Sequence, residues 1–102
     1  MLGNEGDREA QQRIKQARRK GARTLDIRGL KLRELPEAIA SLTDLQQLDL
    51  SNNQLTELPE AIRSLSQLRV LRLNNNQLRE LPEAIASLTK LQVLDLSNNQ
   101  LR

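Results

Sequence analysis

One pattern, LxxLxxLxLxxNxL, occupies Leu42–Leu55, Leu65–Leu78 and Leu88–Leu101, and the step from the first copy to the second equals the step from the second to the third. A fixed period of this size excludes a single irregular core. The structural unit is too small to bury its own apolar face, so it is stable only when stacked on neighbours of the same kind. Of the 102 residues 22 are leucine, and there is no Phe, Trp or Tyr. The core must therefore be built from thin aliphatic layers.

The LxL alternation of each copy has a period of two, which places Leu48 and Leu50 inward and Gln47 and Asp49 outward. Moving back one period from Leu48, Leu50 and Leu55 lands on Leu25, Ile27 and Leu32, so the register starts one repeat earlier. Strands are predicted over 24–28, 47–51, 70–74 and 93–97. Copies repeated in one orientation give parallel strands, each joined by a crossover. The crossover is itself a repeat: Leu35-Pro36-Glu37-Ala38-Ile39 matches Leu58–Ile62 and Leu81–Ile85. Proline suits the first position of a turn, where its missing N–H is not needed, and the following Glu favours the positive end of a short dipole. The crossover is too short for a full helix, so 3₁₀ or single helical turns are expected. The fold class is an α/β solenoid, a horseshoe arc with parallel strands on the concave face and short turns on the convex one. Asn53, Asn76 and Asn99 form a structural column whose amides can satisfy the backbone of each turn. Leu30 occupies that position in the first repeat, where it can pack on a lid.

The two ends differ. Residues 1–6 read as a loose tail. Asp7 is a candidate N-cap, Ala10, Ile14 and Ala17 make a narrow apolar stripe, and Gly21 is a natural stop, so residues 7–23 form an N-terminal capping helix. Residues 24–102 carry the repeats, with four strands. The fourth repeat is incomplete, without its LPEAI half and without a C-terminal cap. Leu88, Leu91, Gln92, Leu94, Leu96 and Leu101 are then left without a neighbouring layer. Either the natural chain continues past Arg102 or another molecule covers this face. The simplest closed arrangement is a two-fold dimer pairing residues 92–96 antiparallel about Leu94. A head-to-tail contact meets the capping helix instead.

Composition excludes several functions. There is no Cys and no His, so thiolate chemistry and the commonest metal ligand are missing. The glutamates repeat with the fold and have no nucleophile or phosphate loop beside them. No catalytic residue, metal, cofactor or small-molecule ligand is expected, and the chain is not read as an enzyme. No apolar run is long enough to span a membrane, and Met1–Asp7 lacks the apolar stretch of a signal peptide, so the cytoplasm is the expected location. Residues 1–33 carry ten Lys/Arg against four Asp/Glu, whereas residues 34–102 carry six against nine. Arg8, Arg13, Lys15, Arg18, Arg19, Lys20 and Arg23 could meet phosphates, but no aromatic is present to stack a base and the apolar stripe is too thin to insert into a bilayer. A cap with a solvated outer face is the better reading, and binding to nucleic acid or an anionic surface is a remote alternative.

The concave columns follow from the register: Thr24, Gln47, Val70, Val93; then Asp26, Asp49, Arg72, Asp95; then Arg28, Ser51, Asn74, Ser97. Gln47, Asp49, Val70, Arg72, Asn74, Val93 and Asp95 are the candidate binding residues. Strands about 4.8 Å apart allow Arg72 to pair with Asp49 and Asp95. The face lacks the Trp and Tyr anchors of tight interfaces.

With LxxLxLxxNxL and LPxxI recurring at one fixed period, the sequence resembles leucine-rich repeat proteins, in particular the subclass found in Ras-associated scaffolds and bacterial Roco-type proteins. The basic helix leading into Gly21–Ile27 resembles the N-terminal cap of the bacterial members. The resemblance covers residues 7–102. It implies a horseshoe whose concave face binds a protein or peptide, with no catalysis by the repeats. The absent C-terminal cap and Leu30 depart from the pattern. The copies are also unusually alike: residues 32–43 and 78–89 share the letters LRELPEAIASLT, and 48–55 and 94–101 share LDLSNNQL. Recent duplication, consensus engineering or shortening would each produce this. The expected function is a non-catalytic scaffold for protein–protein interaction, self-associating as a homodimer through its open face. The alternative is a truncated or engineered N-terminal fragment of a larger signalling protein.

Overall fold

The computed structural model describes residues 4–102. A single α-helix, α1 (Glu5–Lys20), leads into four short strands: β1 (Thr24–Asp26), β2 (Gln47–Asp49), β3 (Val70–Arg72) and β4 (Val93–Asp95). Between them lie three 3₁₀ turns, Glu37–Ser41, Glu60–Ser64 and Glu83–Ser87. The strands form one parallel sheet in chain order, and the register advances by one period at each step: Leu25 pairs with Leu48, Leu48 with Leu71, and Leu71 with Leu94. This is the expected solenoid, with an N-terminal helix, parallel strands and short 3₁₀ turns. The strands begin where the alternation placed them and end two residues sooner.

Each layer closes in the same way. Pro36, Pro59 and Pro82 stand just before the 3₁₀ turns, and their carbonyls accept from the N–H of Ile39, Ile62 and Ile85 at 3.1 Å. The proline thus starts the turn from outside it and gives up no N–H bond there. Leu35, Ile39, Leu42, Leu45, Leu48 and Leu50 fill one layer, and their equivalents one period on fill the next. At the layer joints one carbonyl serves two donors: Arg23 accepts from Gln46 and Gln47, Gln46 from Arg69 and Val70, and Arg69 from Gln92 and Val93.

The helix starts earlier than the sequence reading placed it. Asn4, not Asp7, is the N-cap, and Asp7 is the reciprocal partner of a capping box: Asn4 Oδ1 accepts the Asp7 N–H at 2.8 Å and Asp7 Oδ2 accepts the Asn4 N–H at 3.1 Å. Two residues satisfy each other's free donors, which a lone Asp7 cap would not do. Of the expected tail, residues 1–3 lie outside the described residues and 4–6 belong to the cap and first turn of α1. Gly21 ends the helix with φ 59°, and the Ala22 N–H returns to Ala17 O at 2.9 Å, a Schellman-type stop. Ala10, Ile14 and Ala17 are buried against β1 and the first 3₁₀ turn. Arg13 fixes the helix to the sheet: it donates to Glu9 Oε2 at 2.8 Å and through Nη1 to the carbonyl of Asp26 at 2.9 Å.

Gly6 sits where α1 crosses the first repeat turn. A Cβ built there would overlap the carbonyl oxygen of Leu30. Helix propensity alone favours alanine over glycine by about 1 kcal/mol. The clash is with backbone, which cannot swing aside, and overpacking of this kind costs about 1–3 kcal/mol. Gly6→Ala is therefore expected to lower the thermal midpoint, and a raised midpoint would show that the helix rides further from Leu30 than this geometry has it.

Candidate interaction face

The concave columns stand as the register requires, with Thr24, Gln47, Val70 and Val93 in the first, Asp26, Asp49, Arg72 and Asp95 in the second, and Arg28, Ser51, Asn74 and Ser97 in the third. Between the first two columns lies a shallow recess of about 210 Å³ walled by Thr24, Asp26, Gln47, Asp49, Val70 and Arg72. Ser51 is buried, Asp49, Val70 and Asn74 are half-buried, and Gln47 and Arg72 are exposed.

The ion pairs expected of Arg72 are not formed. The described residues contain the pairs Arg13–Glu9, Arg28–Asp26 and Arg63–Glu60, and none at Arg72. The aspartates on either side of it are engaged locally. Asp49 Oδ1 accepts from the Ser51 N–H at 3.0 Å and from its hydroxyl at 2.6 Å, and Asp95 Oδ1 accepts from Ser97 in the same way at 3.0 and 2.7 Å. A serine two residues away reaches the carboxylate with almost no loss of freedom, while a long exposed arginine must be immobilised to do so. The Ser97 hydroxyl, then its amide, hold the Asp95 carboxyl below the ordinary carboxylate range, and the charge of Arg72 adds a smaller push in the same direction. In the first repeat Arg28 plays the part of the serine, its N–H and Nε both meeting Asp26.

The asparagine column lies behind this face. Asn53 Oδ1 accepts from the N–H of Leu30 (2.9 Å) and Leu32 (3.0 Å), and its Nδ2 donates to Ile27 O, Leu50 O and Ser51 O. Asn76 joins Leu55 N–H to the carbonyls of Leu50 and Leu73, and Asn99 joins Leu78 N–H to those of Leu73 and Leu96. Each amide binds its own turn to the layer before. Leu30, first in the column, has no side-chain amide and is half-buried at the joint with α1. Sequence reasoning passed over the first Asn of each pair. Asn52, Asn75 and Asn98 take φ of 57°, 60° and 58°, and Gly29 holds the equivalent place with φ 67°. The signal was the residue type, since asparagine tolerates the left-handed region better than other non-glycine residues.

At the far end of the arc Leu91, Leu94 and Leu96 are half-buried and Gln92 is exposed. Leu101 at 38 % and Val93 at 42 % are the exposed large hydrophobics among the described residues. Leu88 does not belong to this open face. It is 4 % exposed, enclosed like Leu42 and Leu65, and its N–H closes the 3₁₀ turn on Ile85. At the opposite end, a groove between α1 and the first 3₁₀ turn has Arg8, Lys15, Arg18 and Arg33 on its rim together with Glu34 and Glu37, so it presents no single charge. Among the described residues no group of three or more His, Cys, Asp or Glu is placed to hold a metal, and no helix is long and apolar enough to cross a membrane.

Comparison with known proteins agrees with this geometry. A family profile described as a leucine-rich repeat region matches residues 21–99. No curated protein matches. Among solved structures the chain is similar to a leucine-rich repeat protein of Leptospira interrogans, at 33 % identity and TM-score 0.61 over 86 % of this chain. The chain spans 29 % of that protein's length. Leucine-rich repeat domains generally mediate protein–protein interaction and are typically non-enzymatic. The profile match falls on the same residues that carry the one-sided parallel sheet and the asparagine column, and the chain belongs to the leucine-rich repeat family.

Proposed function

We propose that the chain is a non-catalytic cytoplasmic scaffold that engages a protein partner on its concave face and a second copy of itself at its last layer. The observation that carries the second part is a pair of amides. The N–H groups of Leu73 and Asn75 donate to Asp95 O (2.9 Å) and Ser97 O (3.0 Å) of the following layer. The equivalent N–H groups of Leu96 and Asn98 have no protein acceptor among the described residues. Val93 and Leu101 of the same repeat are exposed, so this repeat offers a neighbour both polar and apolar groups.

The edge also restricts how a second copy can meet it. The carbonyls of Arg23, Gln46 and Arg69 each accept from the next layer, which leaves that of Gln92 facing outward on the same edge as the Leu96 N–H. An antiparallel meeting about a two-fold axis at Leu94 brings each Leu96 N–H to the Gln92 carbonyl of the other copy. An axis shifted by one residue would face inward-bonded groups instead. The other end of the arc is covered by α1, which excludes a head-to-tail repeat of the same contact.

A second reading makes the chain part of a longer signalling protein whose next repeat covers β4. The length of the Leptospira relative favours it, and duplication or consensus engineering would account for the shared letters of 48–55 and 94–101. Sedimentation velocity of the 102-residue chain at tens of micromolar separates the two. A dimer is expected, and Leu94→Glu is expected to return it to a folded monomer by burying a charge at the axis. A wild-type chain that stays monomeric would remove the self-association half of the proposal.

A further inference from the structure

The third repeat differs from its neighbours at two outward positions. Residues 48–55 and 94–101 both read LDLSNNQL, whereas residues 71–78 read LRLNNNQL. The changes replace aspartate by Arg72 and serine by Asn74. They act as a pair, because the serine's task in the other layers is to hold the aspartate. Where the acid is gone, its holder is gone too. The layer exchanges a carboxylate satisfied within the chain for a guanidinium with no ion-pair or hydrogen-bond partner among the described residues. Of the two cations in the concave columns, Arg28 is held by Asp26 and Arg72 is held by nothing among the described residues.

The surroundings define what such a cation accepts. Arg72 stands in register between Asp49 and Asp95, each with one carboxylate oxygen committed to serine and the other open. Val70 and the 42 % exposed Val93 make an apolar shelf on one side, and half-buried Asn74 offers an amide on the other. A guanidinium binds a carboxylate through two parallel N–H donors. Flanking aspartates attract cations and repel a ligand carrying several adjacent acids.

We propose that Arg72 anchors a concave-face subsite for one isolated carboxylate of a protein partner, with cationic groups beside that carboxylate on the partner. The proposal rests on the interaction-scaffold reading and names the chemistry of its ligand. A ligand with several adjacent acids is disfavoured at this subsite, and a lone acid among bases fits it.

The test is an amide chemical-shift titration of the uniformly labelled 102-residue chain with three capped peptides, Lys-Glu-Lys, Lys-Gln-Lys and Glu-Glu-Glu. The first is expected to shift amides of residues 70–74 and 93–97. Its glutamine counterpart is expected to bind these residues roughly tenfold more weakly, the share of one charge-assisted pair. The triple acid is expected to leave the amides of residues 70–74 and 93–97 unshifted. Arg72→Gln, exposed and outside the core, is expected to keep the fold and lose the preference for glutamate. Equal binding of the glutamate and glutamine peptides, shifts confined to α1, an unaltered preference in Arg72→Gln, or no binding at all would each overturn the proposal. The sedimentation test at Leu94 does not depend on Arg72, so the subsite and the dimer can fail separately.

Discussion

Asn53→Ala is expected to lower the free energy of unfolding by about 2–4 kcal/mol, because it leaves buried amides without acceptors. Asn53 receives the N–H groups of Leu30 and Leu32 on one oxygen, and no other acceptor serves either of them among the described residues. Its Nδ2 meets Ile27 O, Leu50 O and Ser51 O, and of these Leu50 O keeps a second donor in Asn76 and Ser51 O keeps one in the Gly29 N–H. The loss is therefore dominated by the orphaned donors. Asn99→Ala removes the same kinds of bond in a half-buried layer, where water can replace them, and is expected to cost about 1 kcal/mol. Urea unfolding of both variants measures the difference. Equal losses would show that the column contributes through turn propensity and not through burial. Asn53→Asp separates the roles further. It keeps the acceptor, loses the donor and brings a charge into a site that is nearly closed, so it is expected to be at least as damaging as alanine.

Features that recur with every repeat were legible in the sequence, and features that depend on a single contact were not. The strands could be placed because two periodicities agree: alternation sets which leucines face inward, and the repeat sets which strand lies beside which. The start of α1 could not, because Asn4 and Asp7 are both good caps. The choice follows from the reciprocal bond between them, and the first turn then carries Gly6 against Leu30, a contact no local pattern displays. Arg72 failed for a related reason. The register correctly set it between two acids, but a long exposed side chain must be immobilised to pair across strands, and an exposed pair returns too little to do so. The burial of Leu88 was readable from Leu42 and Leu65, its equivalents. Grouping it with the open face treated a whole layer as one surface, when the turn side of that layer is already closed.

Leu71→Ala carries the largest expected effect. Leu71 is fully buried in the third layer, between Leu48 and Leu94. Truncating a buried leucine costs about 2–5 kcal/mol, and the upper part of that range applies where the site cannot collapse. Here it cannot, since the hydrogen-bond ladder fixes neighbouring strands about 4.8 Å apart. Against a domain stability of about 5–15 kcal/mol, the variant is expected to be marginally folded at room temperature. Leu94→Ala deletes the same atoms one layer further on, at a half-buried position. With its outer side in water, that truncation is expected to cost about 1–2 kcal/mol. If a second copy covers the layer, the two variants diverge in a second way. The cost at Leu94 grows with protein concentration, because association adds to the stability of the folded state by mass action, while the cost at Leu71 does not. Urea midpoints of both variants and the wild type, taken at two concentrations, decide this. A Leu94→Ala cost that stays small and constant would leave the last layer facing solvent, and one that climbs toward the Leu71 value would mean that another leucine layer is lying on it.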